Sequence, residues 1–218
     1  MKKTYKMLSY SLKWLSFESL IYHAIFITHQ LFLFTVTGYK TYGVIGALFS
    51  ITYLLVTITS FGLESSLSPF FKAITQNQKT FKACIIPQII PTIILSTLTI
   101  PTLLLLKHTQ KYIFLQQLNY PLICILSLLI LSESIKKTFR GILYMAFKNK
   151  TNMLIEITSL LIYISSIWLY YFATKKITIG LVFIPMAITS LLSCAILAYF
   201  VYQLYKTLPQ NTARVKQH

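Results

Sequence analysis

Six apolar stretches, each of more than 20 residues, alternate with short polar segments along the chain, at about 14–36, 44–67, 83–106, 113–134, 152–173 and 178–204. A hydrocarbon core of roughly 30 Å is crossed by about 20 helical residues, so each stretch is long enough to span. A membrane β-strand needs only about 9–11 residues of alternating polarity, a pattern these runs do not show. The expected class is all-α: an integral membrane bundle of about six transmembrane helices. Residues 1–205 form a single transmembrane domain and 206–218 a polar tail. The polar segments 68–82, 136–151 and 206–218 are too short to fold alone.

Polar residues inside the stretches recur at helical spacing. In the fifth, Asn152, Glu156, Ser159, Tyr163, Ser166 and Tyr170 fall on one stripe at about 100° per residue. The second carries Ser50, Tyr53, Thr57, Ser60, Glu64 and Ser68, and in the first Glu18, Tyr22, Ile25 and His29 share a face. The third combines Gln88, Thr92, Ser96 and Thr99 with Pro87, Pro91 and Pro101, which predicts kinks because each proline removes a helix hydrogen bond. Two readings compete. Ser and Thr glue helices together at about 0.6–2 kcal/mol per hydrogen bond. Alternatively, polar faces of several helices line a wet cavity. Simple packing seldom needs a carboxylate, and the stripes run the depth of the membrane, so the cavity is favoured. The candidates for its path are Glu18, Tyr22, His29, Thr57, Glu64, Asn152, Glu156, Ser159 and Tyr163.

Charge sets the orientation. Lys+Arg number 20 against 4 Asp+Glu, a net charge of +16. Lys2, Lys3, Lys6 and Lys13 precede the first stretch, and Lys72, Lys79 and Lys82 follow the second. Lys136, Lys137, Arg140, Lys148 and Lys150 follow the fourth, and Lys206, Arg214 and Lys216 occupy the tail. The intervening segments hold only Lys40, then Lys107 and Lys111, then Lys175 and Lys176. Positive-inside therefore puts both termini in the cytoplasm, in a multi-pass protein of the cell inner membrane. All four acids are Glu, and Glu18, Glu64, Glu133 and Glu156 all fall toward the cytoplasmic side. They either pair with neighbouring Lys and Arg or form a charged, protonatable gate.

Composition agrees: 56% of residues are hydrophobic, and only 11% are charged, against roughly 25% in soluble domains. Basic clusters between apolar runs imply anionic lipid headgroups as partners; no basic, aromatic-interleaved polar domain is present for nucleic acid. The run 14–36 is longer than the 7–15 residues or so of a signal-peptide core and lacks a small-residue cleavage site. Cys84, Cys124 and Cys194 each lie in apolar segments, which argues against disulfides and metal. The chain has no Asp, none of the common hydrolase, zincin or phosphate-loop motifs, and four scattered histidines at 23, 29, 108 and 218. No enzyme activity and no cofactor is expected; catalysis by Glu and His from different helices is the last alternative.

The stretch from Thr37 to Lys72, TGYKTYGVIGALFSITYLLVTITSFGLESSLSPFFK, resembles the start of polysaccharide, or lipid-linked oligosaccharide, flippases. These share a superfamily with the multidrug and toxin extruders. Their G-x-x-x-Y-G turn between helices one and two is matched by Gly38, Tyr42 and Gly43. Their F-G-L-x-x-A/S-L phrase is matched by Phe61, Gly62, Leu63, Ser66 and Leu67, with Lys72 beyond. The segment Lys137–Trp168 is also similar, including the F-R-G-I-L-Y-M-A phrase with Arg140. The resemblance implies one six-helix lobe of a two-lobed, alternating-access carrier of a lipid-linked sugar. It therefore also implies a second lobe, supplied by another copy or a separate chain, unless this chain is a truncated product. Family members hold lipid phosphate with cavity Arg or Lys. No mid-membrane cation is expected here, which leaves Arg140, near the cytoplasmic side, as the headgroup contact. The other readings are a half-carrier like the multidrug extruders and a structural membrane subunit without cargo.

Overall fold

The computed structural model describes residues 2–60, 75–109, 116–146 and 148–209. Glu64, the end of the second apolar stretch and the beginning of the fourth lie outside these residues, as does the side chain of Glu18. Among the described residues the architecture is all-α, with five helices: α1 Lys2–Ser60, α2 Gln78–Thr109, α3 Tyr120–Met145, α4 Asn149–Thr174 and α5 Ile179–Thr207. Four segments among them are long and apolar enough to cross a membrane: Ser19–Ser60, Gln78–His108, Asn149–Thr174 and Ile179–Thr207. The chain thus has the helices of a multi-pass membrane protein. Large side chains such as Leu20, Leu31, Leu54, Leu98, Leu105 and Leu169 point outward, the arrangement suited to a lipid solvent.

α1 is not one rod. Gly38 has φ 74° and ψ 165°, a backbone region that essentially only glycine enters. The Tyr42 hydroxyl donates to Gln30 Oε1 at 3.2 Å, and the Phe34 and Tyr42 rings meet edge to face at 5.4 Å. A continuous helix would hold positions 30 and 42 about 18 Å apart. The chain therefore reverses at Gly38 into two arms, 2–37 and 39–60. Gly43, expected to share in this turn, lies in ordinary helix.

α2 carries Pro87, Pro91 and Pro101 inside a continuous helical assignment. α3 departs furthest from expectation. Its start is fixed by the Asn119 side chain, which accepts from the Leu122 N–H at 2.9 Å, and by Pro121 in the first turn. It then runs on to Met145, well past the anticipated end at 134. Lys136, Lys137 and Arg140, expected in a cytoplasmic loop, are helical, and only 146–148 separate α3 from α4. The physical reason is that these charges find partners inside the bundle.

α3 is the central helix, packed against α5, α2 and both arms of α1. One apolar cluster, including Leu33, Ile45, Leu126, Ile130, Ile164 and Phe183, joins α1, α3, α4 and α5. A second, built on Phe81, Ile85, Ile142, Leu143, Leu197 and Val201, seals α2, α3 and α5 at the other end.

No atom crowds a Cβ built at Gly38, so substitution there acts through the backbone alone. Gly38→Ala is expected to destabilise the fold by about 1–3 kcal/mol. Thermal unfolding in detergent measures this, and Gly43→Ala should have little effect.

Candidate functional site

Glu133, Lys136 and Arg140 stand at i, i+3 and i+7 on α3 and so share one face. α4 returns antiparallel after its short connection and presents Glu156 to that face. Lys136 Nζ donates to Glu133 Oε1 at 2.7 Å and lies 3.4 Å from Glu156 Oε2. Arg140 Nε is 3.7 Å from the other oxygen, Glu156 Oε1, which itself accepts no hydrogen bond. Lys136 and Glu156 are each only 5% exposed. The Arg140 guanidinium also donates to the Tyr144 hydroxyl at 2.8 Å, and its backbone carbonyl accepts from the Asn152 amide at 3.3 Å.

This cluster lines a cleft of about 470 Å³. The first arm of α1 contributes Tyr22 and His23, and the second arm Phe49, Thr52 and Tyr53. α3 adds Glu133, Lys136, Lys137, Arg140 and Tyr144, α4 adds Glu156 and α5 adds Met186. Lys137 Nζ lies 5.2 Å from the centre of the Tyr53 ring, a cation–π contact. A smaller chamber of about 40 Å³ adjoins the cleft and shares Tyr22, Glu133, Lys136 and Glu156 with it. Its further walls include Ser159, Tyr163, Thr189 and Ser190. It is polar and has room for roughly two waters. Beyond it His29 is fully buried, with Nε2 3.4 Å from the Tyr163 hydroxyl and the two rings edge to face at 5.1 Å.

The structure thus brings Tyr22, Glu156 and Arg140 to the cleft, and Ser159 and Tyr163 to the chamber. Asn152 braces the Arg140 backbone, and His29 reaches the chamber through Tyr163. Thr57 is on the outside, where its hydroxyl donates to the Tyr53 carbonyl. Ser166 and Tyr170 are also exposed. The buried face of α4 is centred on Leu160, Ile164 and Ile167, so the polar stripe runs along the edge of that face. On α2, Thr92, Ser96 and Thr99 face the protein interior, and no residue of that helix lines the cleft. Helix glue operates elsewhere. The Thr59 and Ser134 hydroxyls meet at 2.6 Å between α1 and α3, and Ser132 donates to Ser190 at 2.8 Å between α3 and α5.

Sequence reasoning missed Lys136, the centre of the cluster, and the cavity roles of Glu133 and Lys137. The available signal was the i, i+3, i+7 spacing of Glu133, Lys136 and Arg140, which the loop assignment obscured. Among the described residues no three His, Cys, Asp or Glu side chains are grouped to hold a metal. Comparison with known proteins returned no matching family model, curated protein or solved structure.

Removing one partner of a buried ion cluster leaves the others uncompensated, at a cost of about 3–5 kcal/mol, whereas apolar replacement of the whole group is often near neutral. Lys136→Met is therefore expected to lower thermal stability sharply. Adding Glu133→Gln to it removes one charge of each sign, leaves Glu156 beside Arg140 and should recover most of the loss. Comparing the single and double variants by unfolding in detergent measures the coupling.

Proposed function

We propose that this chain is one lobe of a membrane carrier of the polysaccharide-flippase kind, moving an anionic lipid-linked sugar across the inner membrane by alternating access. The observation that carries the reading is the cleft, which among the described residues gathers Lys136, Lys137 and Arg140 with Glu133 and Glu156 inside an otherwise apolar bundle. Charges at membrane depth are expensive and characteristically serve transport pathways. Arg140, half-buried at the cleft wall, is the group best placed to grip a phosphate oxygen, with Lys137 beside it. Tyr22, Tyr53 and Tyr144 give the cleft flat aromatic walls, suited to stacking on sugar rings. The lipid tail would remain in the bilayer while the cleft relieves the headgroup of the desolvation it suffers in hydrocarbon.

The reversal at Gly38 supports a six-span reading, because it divides α1 into two crossings that join α2, α3, α4 and α5. The basic clusters then put both termini, and the charged end of α3, on the cytoplasmic side. A single lobe offers half of a central path, so the working carrier pairs with a second lobe.

The test is reconstitution into lipid vesicles with a fluorescent lipid-diphosphate-linked oligosaccharide, following its transfer between leaflets. Arg140→Gln is expected to cut the rate by about tenfold or more, the loss of one or two charge-assisted hydrogen bonds at 1.4 kcal/mol per decade. Bundle assembly, read by size-exclusion in detergent, should be unchanged. Full transfer by the Arg140→Gln protein would remove the reading, and absence of transfer by the unaltered chain where it self-pairs would favour a structural subunit.

A further inference from the structure

We infer that the end of the bundle bearing the Gly38 turn is a docking surface for anionic phospholipid, where a lysine seated over an aromatic ring at each of three connections takes the headgroup phosphate. The inference needs no cargo and holds for a carrier and a structural subunit alike.

Three connections meet at this end: the Gly38 turn within α1, the link from α2 to α3 and the link from α4 to α5. Each carries the same kind of pair. At the first, Lys40 Nζ lies 5.9 Å from the centre of the Tyr39 ring. At the second, Lys107 Nζ lies 3.4 Å from that of Tyr120. At the third, Lys175 Nζ lies 5.5 Å from that of Tyr171 and 5.3 Å from that of Phe172. Tyr39, Tyr120 and Phe172 are exposed, as are Leu105 and Leu169, which lie deeper along α2 and α4. An outer surface that passes from leucine to aromatic ring to ammonium matches the passage from acyl chain to headgroup.

Charge favours an anionic occupant. The sequence has four acidic side chains in all, and each is remote from this end. Glu18 is about 30 Å from Gly38 along the first arm of α1. Glu133 is about 20 Å past the start of α3, and Glu156 about 27 Å before the end of α4. Glu64 follows Ser60 by four residues, at most ~14 Å of chain, and Ser60 is itself about 33 Å from Gly38. The three ammonium groups therefore meet no acidic side chain from any part of the chain. A ring covers one side of an ammonium and leaves N–H donors on the other for the free oxygens of a phosphodiester. A zwitterionic lipid presents the same oxygens but brings its own cation, which the lysines repel.

The experiment is fluorescence quenching of the full chain in vesicles that mix phosphatidylcholine with phosphatidylglycerol, one or the other carrying dibrominated acyl chains. Trp14→Phe and Trp168→Phe remove the two native tryptophans, and Leu169→Trp places a reporter at an exposed position on the acyl-chain side of Lys175. Comparing the two brominated lipids gives their relative affinity for the sites around the reporter. A preference of about fivefold for phosphatidylglycerol is expected at low salt, the factor for one basic contact, and it should fall at high salt. Lys175→Gln should bring the preference close to one. Lys176→Gln should leave most of it, because among the described residues Lys176 lies over no ring. No preference in the reporter chain overturns the inference, as does an equal loss from Lys175→Gln and Lys176→Gln, the mark of diffuse charge. Quenching by neither lipid would show a protein covering this face and overturns it too. Should the first reporter chain fail to fold, Leu105→Trp with Lys107→Gln makes the same comparison at the second connection. These outcomes are independent of lipid-sugar transfer, so the proposed function stands or falls separately.

Discussion

The contact on which the rest of the arrangement depends is Lys136 held between Glu133 and Glu156. A lone ammonium in that position would have to leave the bundle, and α3 would have to end near Ser134 to let it. With a carboxylate on its own helix and another across the gap, it stays buried, and α3 continues two to three turns further. That continuation leaves only 146–148 to connect to α4, which returns close enough for Asn152 to bond the Arg140 carbonyl and for Glu156 to meet Lys136. A buried ion cluster adds little net stability over a well-packed apolar one. Its consequence here is a polarised cleft in an apolar body.

The broad class was legible because apolar runs of more than 20 residues have few alternatives in any solvent, and the turn at Gly38 because glycine marks a backbone that other residues avoid. The limits of α3 were not. A count of Lys and Arg assumes that basic residues mark the membrane surface, and that assumption fails when acidic residues three and twenty positions away fold onto the same lysine. The carboxylate on α4 is invisible to any local window. The polar stripe of α4 was half legible for a related reason. Periodicity identified the angle at which Asn152, Glu156, Ser159 and Tyr163 lie. It did not reveal that the helix packs chiefly through Leu160, Ile164 and Ile167, so that Ser166 and Tyr170 emerge on the open side. Likewise Thr57 follows the period of Ser50 and Tyr53, but the arm of α1 that carries it turns Val56 and Thr59 inward.

The cleft is also placed asymmetrically. Among the described residues its walls come from α1 and α3, with one residue each from α4 and α5, while α2 braces the opposite side through Phe81 and Ile85. Far along the bundle, Phe32 packs on Trp168 at 4.9 Å, while Phe49, on the cleft wall, packs on Phe183 at 5.0 Å. Trp168 lies about 18 Å along α4 from Glu156. The bundle is thus closed by aromatic packing at one end and charged at the other. In the orientation proposed here the closed end is the outer one. In the proposed carrier, passage outward would part α1 from α4 at the Phe32 contact. That contact is aromatic and carries no ion pair, so separating it breaks no charge pairing. The charged cluster can meanwhile keep its partners on α3 and α4. For the carrier proposed above, a rocking motion about the intact cluster is therefore electrostatically cheaper than one that splits Lys136 from its carboxylates.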